Sequence, residues 1–426
     1  MKSFPSETAG STLALHGGEP LLTATMPHFT WPPPVEGLAG KLASYVDSGL
    51  PLSIVGRSGV FEELEDRLAA LMKVRYAILM SSGTMGLYSA FFALDLCPGD
   101  EVISTVYSFH ATTTPLLHLG VRIVFCDVEP DTGNIDPEKI EALITDRTKA
   151  IVTNHMWGHP VDCRAIRALC HRHGLAWVED CSHAHFARYE GEFVGGFGDV
   201  SVFSLQGNKL LTGGEGGVLL TDSEEIHDRA TLLGHSLKRS EQCVKNPRWK
   251  EILRTGFGLK FRMHPLAAVM VLHLLNNCCF DWIRQRGETL DYFTRKLEET
   301  GFVRGMARRR YVTSMGAHYG FKPRIDFRRL GVAKEWLVAA LQAEGLDVDL
   351  PGSPPFHRLP IFTDPGFQVG DFVKQTIDPE AFPGADSYYA GIVSLPTFTF
   401  PSDRPLIDAY VAAFQKLFHH LQERPR

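Results

Sequence analysis

The sequence lacks any long hydrophobic run. None of its 426 residues belongs to a stretch that reaches the roughly 20 apolar residues of a membrane-spanning helix. The N-terminus, MKSFPSETAGST, also lacks the apolar core of a secretory signal. The mean hydropathy of −0.06 is ordinary for a soluble protein. These absences predict no membrane association and a cytoplasmic location.

Excess positive charge and metal-type cysteine spacing are absent too. The formal net charge of −6 predicts no general attraction to nucleic acid, and no basic helix-turn-helix pattern is evident. Of the eight cysteines, Cys163 and Cys170 are too far apart for a CxxC motif, and Cys278 and Cys279 are adjacent. We therefore expect no metal site, and we interpret the cysteines as reduced, mostly buried thiols.

The length and the pattern of elements indicate more than one domain. Residues 1–40, rich in Pro, Thr and Gly, are interpreted as an N-terminal arm. Strands alternate with helices to about residue 220, which predicts an α/β domain at 41–285 with a mainly parallel sheet wrapped by helices. Residues 286–426 are predicted to form a smaller α+β domain with an antiparallel strand at Gly316 to Ile325.

The stretch from Trp177 to Asp222 carries the strongest chemical signal. An apolar run ends in Glu179 and Asp180, which predicts a buried strand whose carboxyl end faces the ligand crevice of an open α/β sheet. A second predicted strand leads to Ser204 and then to Lys209, in glycine-rich, mostly uncharged surroundings. Desolvation there would lower the pKa of the lysine toward the nucleophilic amine.

A nucleophilic lysine and a strand-end aspartate are the pair that pyridoxal phosphate requires. The lysine forms the Schiff base, and the aspartate keeps the ring nitrogen protonated. Asp180 and Lys209 are separated by one strand and a loop, so they can share one cleft. Taken alone, Lys209 is more simply explained as a solvated loop residue, and only its surroundings favour the cofactor.

A tight polar turn before an apolar helix offers a second feature. Ser81 and Ser82 precede Gly83, Thr84 and Met85, and a helix N-terminus there would suit a phosphate. Plain N-capping by Ser or Thr explains the same turn. Phe109, at a strand-to-helix junction, could lie against a flat ring, although aromatic residues are more often part of a core.

The chain resembles the DegT/DnrJ/EryC1/StrS family of pyridoxal-phosphate aminotransferases, of the fold type I class related to aspartate aminotransferase. The motifs that carry the resemblance follow the family's order over nearly the whole chain. They are GRSGVFEELE from Gly56, SSGTMGL from Ser81, NHMWGHPVD from Asn154, VEDCSHAH from Val178, GGFGDVSVFSLQGNKLLTGGEGG from Gly195, KFRMHPLAA from Lys260 and VSLP from Val393.

The resemblance implies a role for each matching residue. Lys209 would carry the cofactor and Asp180 would pair with its ring nitrogen. Phe109 would stack on the ring, and Gly83, Thr84 and Ser204 would hold the phosphate. Arg262 and its neighbours would come from the second subunit of a homodimer.

Three residues depart from the family pattern. His183 replaces a Gln that touches the ring hydroxyl, and imidazole ordinarily titrates near neutrality. Lys260 replaces an Asn that reaches the partner's phosphate, where a lysine would act as a point charge. Phe186 replaces a common Gly, which is expected to narrow the cleft.

By resemblance, the expected activity is transfer of an amino group from glutamine or glutamate, through pyridoxamine phosphate, to a keto acceptor. The acceptor would be a nucleotide- or phosphate-linked keto sugar or a keto cyclitol, in amino-sugar or antibiotic biosynthesis. His183, Tyr319 and His357 are candidate acceptor contacts. A sugar dehydratase, in which His replaces the lysine, and a non-catalytic cofactor-binding regulator remain as alternatives; the retained Lys209 argues against the first.

Overall fold

The computed structural model describes residues 12–23, 31–54, 56–235, 237–368 and 376–422. The α-helices in chain order, α1 to α15, are Leu38–Asp47, Val60–Met72, Gly83–Ala93, Thr114–Leu117, Pro137–Ile140, Cys163–His173, Glu224–Gly234, Lys238–Cys243, Pro265–Asn277, Cys279–Glu298, Phe327–Leu330, Lys334–Ala343, Pro360–Thr363, Pro383–Gly391 and Arg404–Gln422. The strands, β1 to β12, are Tyr76–Met80, Glu101–Thr105, Arg122–Cys126, Thr148–Asn154, Ala176–Asp180, Arg188–Tyr189, Glu192–Phe193, Val200–Ser204, Gly217–Thr221, Val303–Arg304, Val312–Ser314 and Arg324–Ile325.

A seven-stranded sheet forms the centre of the molecule. Its strand order is β1-β9-β8-β5-β4-β2-β3, and the neighbours from β3 through β8 run parallel. Only β9 pairs antiparallel, with β8 on one side and β1 on the other. The predicted α/β fold with a mainly parallel sheet is therefore confirmed. Because β4, β5 and β8 are parallel neighbours, their carboxyl ends meet at one edge.

Helices cover both faces of this sheet. Strand β1 shows how the pleat divides its side chains: Ala77 and Leu79 belong to one apolar cluster, and Ile78 and Met80 to another. Helices α2, α6 and α9 pack in the first cluster, and helices α3, α4 and α7 in the second. Phe61, Leu64 and Leu68 recur at helical spacing, and all three are buried in α2.

A third apolar cluster gathers the C-terminal helices. Helix α10 joins it to the sheet, because Trp282 packs with the first cluster whereas Leu290 and Phe293 pack with α12 and α15. The division into domains at 285/286 stays a prediction. One part of the predicted arm lies on this cluster, in which Leu13 and Leu22 are buried, whereas Trp31 and Val35 pack against the first cluster. Residues 1–11 and 24–30 of the arm lie outside the described residues.

The predicted strand from Gly316 to Ile325 is largely wrong. Only Arg324–Ile325 forms a strand, antiparallel to β10. Gly316 and His318 have φ values of 54° and 44°, in the left-handed region that a strand does not use. The segment between them and β12 is thus irregular, and it is this segment that enters the cleft described below.

Within the described residues, no single helix has the length and hydropathy to cross a bilayer, although α9 and α10, which meet at 63°, reach that threshold when taken together. All eight cysteines are free thiols, and six of them are buried, as the sequence predicted.

Candidate active site

A cleft of about 930 Å³ opens at the carboxyl edge of the central sheet. One side of the cleft includes the ends of β4, β5 and β8, the start of α3 and the loop after β8. Its other side comes from the C-terminal part of the chain. Of the predicted site residues, the cleft brings together Gly83, Thr84, Phe109, Asp180, His183, Ser204, Lys209 and Tyr319.

Lys209 is a buried amine in this cleft, with only 7% of its surface exposed. Burial lowers its pKa to about 7, although the nearby charge of Asp180 acts in the opposite direction. The backbone holds it in place: its N–H donates to the carbonyl of Gln206 at 2.9 Å, and its own carbonyl accepts from Nε1 of Trp31 at 3.0 Å. The lysine is therefore not a solvated loop residue, and its amine is available as a nucleophile near neutral pH.

Asp180 ends strand β5 on the same side of the cleft. One carboxylate oxygen accepts from the Thr112 hydroxyl at 2.7 Å, and the other accepts from the Ser182 N–H at 3.0 Å. Both bonds orient the carboxylate. A fixed negative charge thus faces the same cavity as the Lys209 amine.

Glu179 does not share this position, which corrects the expectation that both carboxylates face the crevice. Successive side chains of a strand point to opposite faces. Glu179 is fully buried and accepts from the N–H groups of Gly195, Phe197 and Gly198, at 3.0, 2.8 and 2.6 Å, and from Nε2 of His155 at 3.1 Å. Burial raises its pKa, but the bond from His155 and the amide bonds outweigh that and lower it.

The Glu179 carboxylate also belongs to a trio, with His155 and Cys181, whose ligand atoms lie within 4.8 Å of one another. Four donors already occupy the acceptor positions of this carboxylate. We therefore attribute the trio to the structure of the loop around Gly195, and the expectation of no metal stays a prediction.

The start of helix α3 shows that capping and a phosphate site are compatible. The Ser82 side chain accepts from the Met85 N–H at 3.1 Å, so N-capping is present and the Met85 amide is occupied. Met85 does not line the cleft, whereas Gly83 and Thr84 do. A Cβ on Gly83 would come within 2.9 Å of Cβ of Ser204, so the helix start and the end of β8 are packed together.

An aromatic stack forms the inner wall of the cleft. The imidazole of His183 lies nearly parallel to the rings of Tyr319, at 4.1 Å between centroids, and Trp157, at 5.2 Å. Nζ of Lys209 lies 3.5 Å from the Tyr319 ring centroid. Burial, and then the charges of Lys209 and Lys322, lower the pKa of His183 well below its usual value. The expectation that His183 titrates near neutrality is therefore wrong.

Phe109 lies on the outer part of the cleft and is half exposed, immediately before a short 3₁₀ helix. It is not a core residue. Such a surface is suited to stacking on a flat ring, and the assignment stays a prediction.

Besides Met85, four predicted residues lie outside the cleft lining. His357 is buried and pairs through Nε2 with Asp386 at 3.0 Å, which corrects its interpretation as an acceptor contact. Phe186 packs against Phe193 and Phe280 with a φ of 57°; it does not narrow the cleft. Lys260 is exposed, and Arg262 donates to the carbonyl of Ile54 at 3.4 Å, so neither reaches the cleft of its own chain.

The cleft residues that were not predicted as site residues include Trp31, Trp157, Arg286 and Lys322. Trp157 lies within the NHMWGHPVD motif, which is the one signal that could have indicated it. The others lie in segments far from the central motifs. The guanidinium of Arg286, for example, donates to Thr399 and to the carbonyl of Ala317 and lies 4.3 Å from the Trp31 ring.

Comparison with known proteins places this site in a family. Residues 53–403 match the DegT/DnrJ/EryC1/StrS aminotransferase family, and the chain belongs to it. The protein is thus an aminotransferase, and the predicted family and fold class are confirmed.

Individual relatives cover almost the whole chain. The chain is 30% identical over 434 residues to L-glutamine:scyllo-inosose aminotransferase of Streptomyces griseus, covering 98% of this chain and 100% of the relative. The solved aminotransferase from Psychrobacter cryohalolentis superposes with a TM-score of 0.81 at 26% identity, over 93% of this chain and 100% of that one. The structure of DesI with its TDP-sugar product gives a TM-score of 0.77 at 26% identity, over 97% and 100%.

The family implies pyridoxal phosphate, and the residues of the cleft fit it. A buried lysine with a lowered pKa faces the same cavity as a fixed carboxylate, and the tight contact of Gly83 with Ser204 leaves a side-chain-free helix start beside them. These groups match the aldehyde, the ring nitrogen and the phosphate of the cofactor, respectively.

Proposed function

We propose that this protein transfers an amino group from glutamine or glutamate to a ketone on a polyhydroxylated ring, a keto cyclitol or a keto sugar. The observation that carries the proposal is the Lys209 amine, buried beside Asp180 with a pKa of about 7. The Streptomyces griseus relative, an L-glutamine:scyllo-inosose aminotransferase, supports glutamine and a cyclitol, and the TDP-sugar product of DesI supports the sugar alternative.

The residues of the chain divide the chemistry between them. Pyridoxal phosphate, when bound, supplies an aldehyde and an electron sink. Lys209 would hold the cofactor through Nζ and, once released by the donor's nitrogen, would accept the proton from the donor's Cα. Because its pKa is about 7, the amine can take up and return a proton near neutral pH.

The other groups of the cleft would position and bind the cofactor. Asp180 would keep a proton on the ring nitrogen, because a fixed negative charge favours the protonated form. The start of helix α3, with Ser204, would bind the phosphate through backbone N–H groups and a hydroxyl. His183, neutral because of its burial, would offer a hydrogen bond that does not change with pH in the physiological range.

The test separates the two half-reactions. The cofactor-loaded protein is mixed with glutamine or glutamate, and the visible absorption of the bound cofactor is followed. A keto cyclitol such as scyllo-inosose, or a nucleotide-linked keto sugar, is then added, and the aminated product is identified by mass spectrometry. No spectral change with either amino acid would contradict transamination, and return of the original spectrum by one acceptor class would identify it.

We further propose a homodimer with shared active sites. Lys260 and Arg262 lie outside the cleft of their own chain, and nearby Phe257 and Leu259 are exposed apolar side chains. In a dimer these residues would reach the partner's phosphate region. Sedimentation of the protein as a monomer at micromolar concentration, with full activity, would defeat this proposal. A cytoplasmic location stays a prediction.

A further inference from the structure

The cleft contains a second buried lysine, to which the proposed mechanism assigns no role. Lys322 lines the cavity with 8% of its surface exposed. Its ammonium donates to the Ser394 hydroxyl and lies 4.7 Å from the Trp157 ring centroid. An ammonium has three N–H donors, so a single hydroxyl partner leaves it able to bind a further acceptor.

The backbone holds this lysine in a fixed place. Bridges join Phe321 to Leu395 and Arg324 to Ile392, on either side of Lys322. A third bridge pairs Ser394, its hydroxyl partner, with Asp349. The amine is therefore positioned in advance, which reduces the entropy that a ligand would lose on binding to it.

Among the described residues, no carboxylate lies at ion-pair distance from the Lys322 ammonium. Burial lowers its pKa to about 8, with the more distant Asp349 acting in the opposite direction, so the group is mainly charged at neutral pH. Burying a charge without a counterion is costly. Arg286 also lines the cleft, but its guanidinium is already held by Thr399, by the Ala317 carbonyl and by the Trp31 ring.

We propose that Lys322 binds the α-carboxylate of the amino-acid donor. The inference rests on the proposed function, and it deepens that function by naming the group that recognises the donor. In the donor, the α-carboxylate and the nitrogen that displaces Lys209 from the cofactor are bonded to the same carbon, so the group that binds the carboxylate must lie near that lysine. Lys209 and Lys322 contact the same aromatic stack: one lies over Tyr319 and the other over Trp157, whose rings are stacked at 6.2 Å.

The test uses ligands that cannot react. Glutaramate is glutamine without its amino group, and pentanediamide carries an amide in place of the remaining carboxylate. Binding of both to the cofactor-loaded protein is measured by calorimetry. A charge-assisted hydrogen bond predicts that the wild type binds glutaramate about 10- to 100-fold more tightly than pentanediamide. Lys322→Met is expected to abolish the difference, and Lys322→Arg to retain part of it.

Lys334 provides a matched control. It is a partly buried lysine that lies 4.3 Å from the Tyr389 ring centroid and donates to the Tyr389 carbonyl, but it does not line the cleft. Lys334→Met should leave the preference for glutaramate unchanged. Circular dichroism and cofactor retention establish that the variants are folded, and Lys322→Gln serves as a second variant in which the same loss is expected.

A folded Lys322→Met or Lys322→Gln protein that keeps the preference for glutaramate would overturn the assignment. Binding of thymidine diphosphate, the nucleotide part of a TDP-sugar acceptor, should also be measured. If a Lys322 variant loses this binding but keeps the preference for glutaramate, the assignment is overturned, because the lysine would then bind the phosphate of an acceptor. Failure of the proposed function can be distinguished from failure of this assignment. If the wild type shows the Lys322-dependent preference but glutamine and glutamate never convert the cofactor, the carboxylate site is supported and transamination is contradicted.

Discussion

The two walls of the cleft are built in different ways. One wall is the carboxyl edge of the sheet. There, Asp180 and Ser204 lie at the ends of adjacent parallel strands, and regular hydrogen bonds along β5 and β8 fix their positions. On the other wall, Tyr319 and Lys322 lie on an irregular segment, and isolated bridges join Phe321 and Arg324, on either side of Lys322, to residues 392–395.

This difference suggests that the two walls serve different functions. A wall fixed by the ladder of a sheet can hold reacting groups precisely, because its backbone cannot shift without breaking several hydrogen bonds. A wall made of an irregular segment accommodates changes in sequence more easily, and it suits groups that select a substrate. We expect substitutions on the first wall to act on chemical rate and those on the second to act on binding and selectivity.

Replacing Lys209 should have the largest effect. Lys209→Ala removes both the attachment point and the proton acceptor, and loss of a positioned acid–base group alone costs about 10²- to 10⁴-fold. We expect amino transfer, measured by mass spectrometry of the product, to fall by about 10³-fold or more. Lys322→Met, on the other wall, should leave kcat at saturating donor within about 10-fold. Equal losses in the two variants would remove the distinction between the walls.

Lys209 should also destabilise the cofactor-free protein. Its folded pKa of about 7 lies below the ordinary lysine value of 10.5, so the unfolded chain binds more protons between these values and stability rises with pH there. The destabilisation is complete below pH 7 and absent above pH 10.5. At about 1.4 kcal/mol per tenfold change in protonation, Lys209→Met should gain a few kcal/mol at pH 7.

Chemical denaturation of the cofactor-free forms at pH 7 and at pH 10 would check this prediction. The gain in free energy of unfolding should shrink as the pH rises, because the wild-type lysine becomes neutral in both states. A gain that is the same at both pH values would indicate better packing by Met rather than relief of a buried charge.

Asp180→Asn should lower the rate less than loss of Lys209. The amide keeps the shape and can still accept from Thr112, but it lacks the charge; a hydrogen bond to a charged group contributes about 1.5–3 kcal/mol. We expect kcat to fall by about 10- to 100-fold. Thr112→Val, which removes a hydrogen bond and keeps the carboxylate, should cost less. A larger loss in Thr112→Val would mean that orientation, rather than charge, is the contribution of Asp180.

Tyr319→Leu should give the smallest effect. Its ring lies 3.5 Å from Nζ of Lys209, and a cation–π contact contributes about 0.5–2 kcal/mol to the charged form. Its loss should lower the pKa of Lys209 further, by about 0.4 to 1.5 units, and shift the acidic limb of the pH–rate profile downward. Tyr319→Phe keeps the ring and should leave that limb in place. An upward shift in Tyr319→Leu would contradict the contact.

The wall at the carboxyl edge of the sheet could be predicted because the sequence patterns that indicate it are local. Periodicity places β5 and β8, parallel order brings their ends together, and Asp180 and Lys209 follow within one stretch of chain. The errors on this side have local causes as well: Glu179 points away because side chains alternate, and the Met85 amide is occupied because Ser82 caps the helix.

The amino-acid sequence by itself determined the sheet, the order of its helices and the lysine–aspartate pair, because hydrophobic period and chain direction specify them without distant contacts. Only the tertiary structure decided that His357 lies outside the cleft, that His183 is held neutral within an aromatic stack, and that Lys322 and Arg286 are buried beside Lys209. Burial and electrostatic environment depend on segments that are far apart in the chain, and no local pattern records which of them meet.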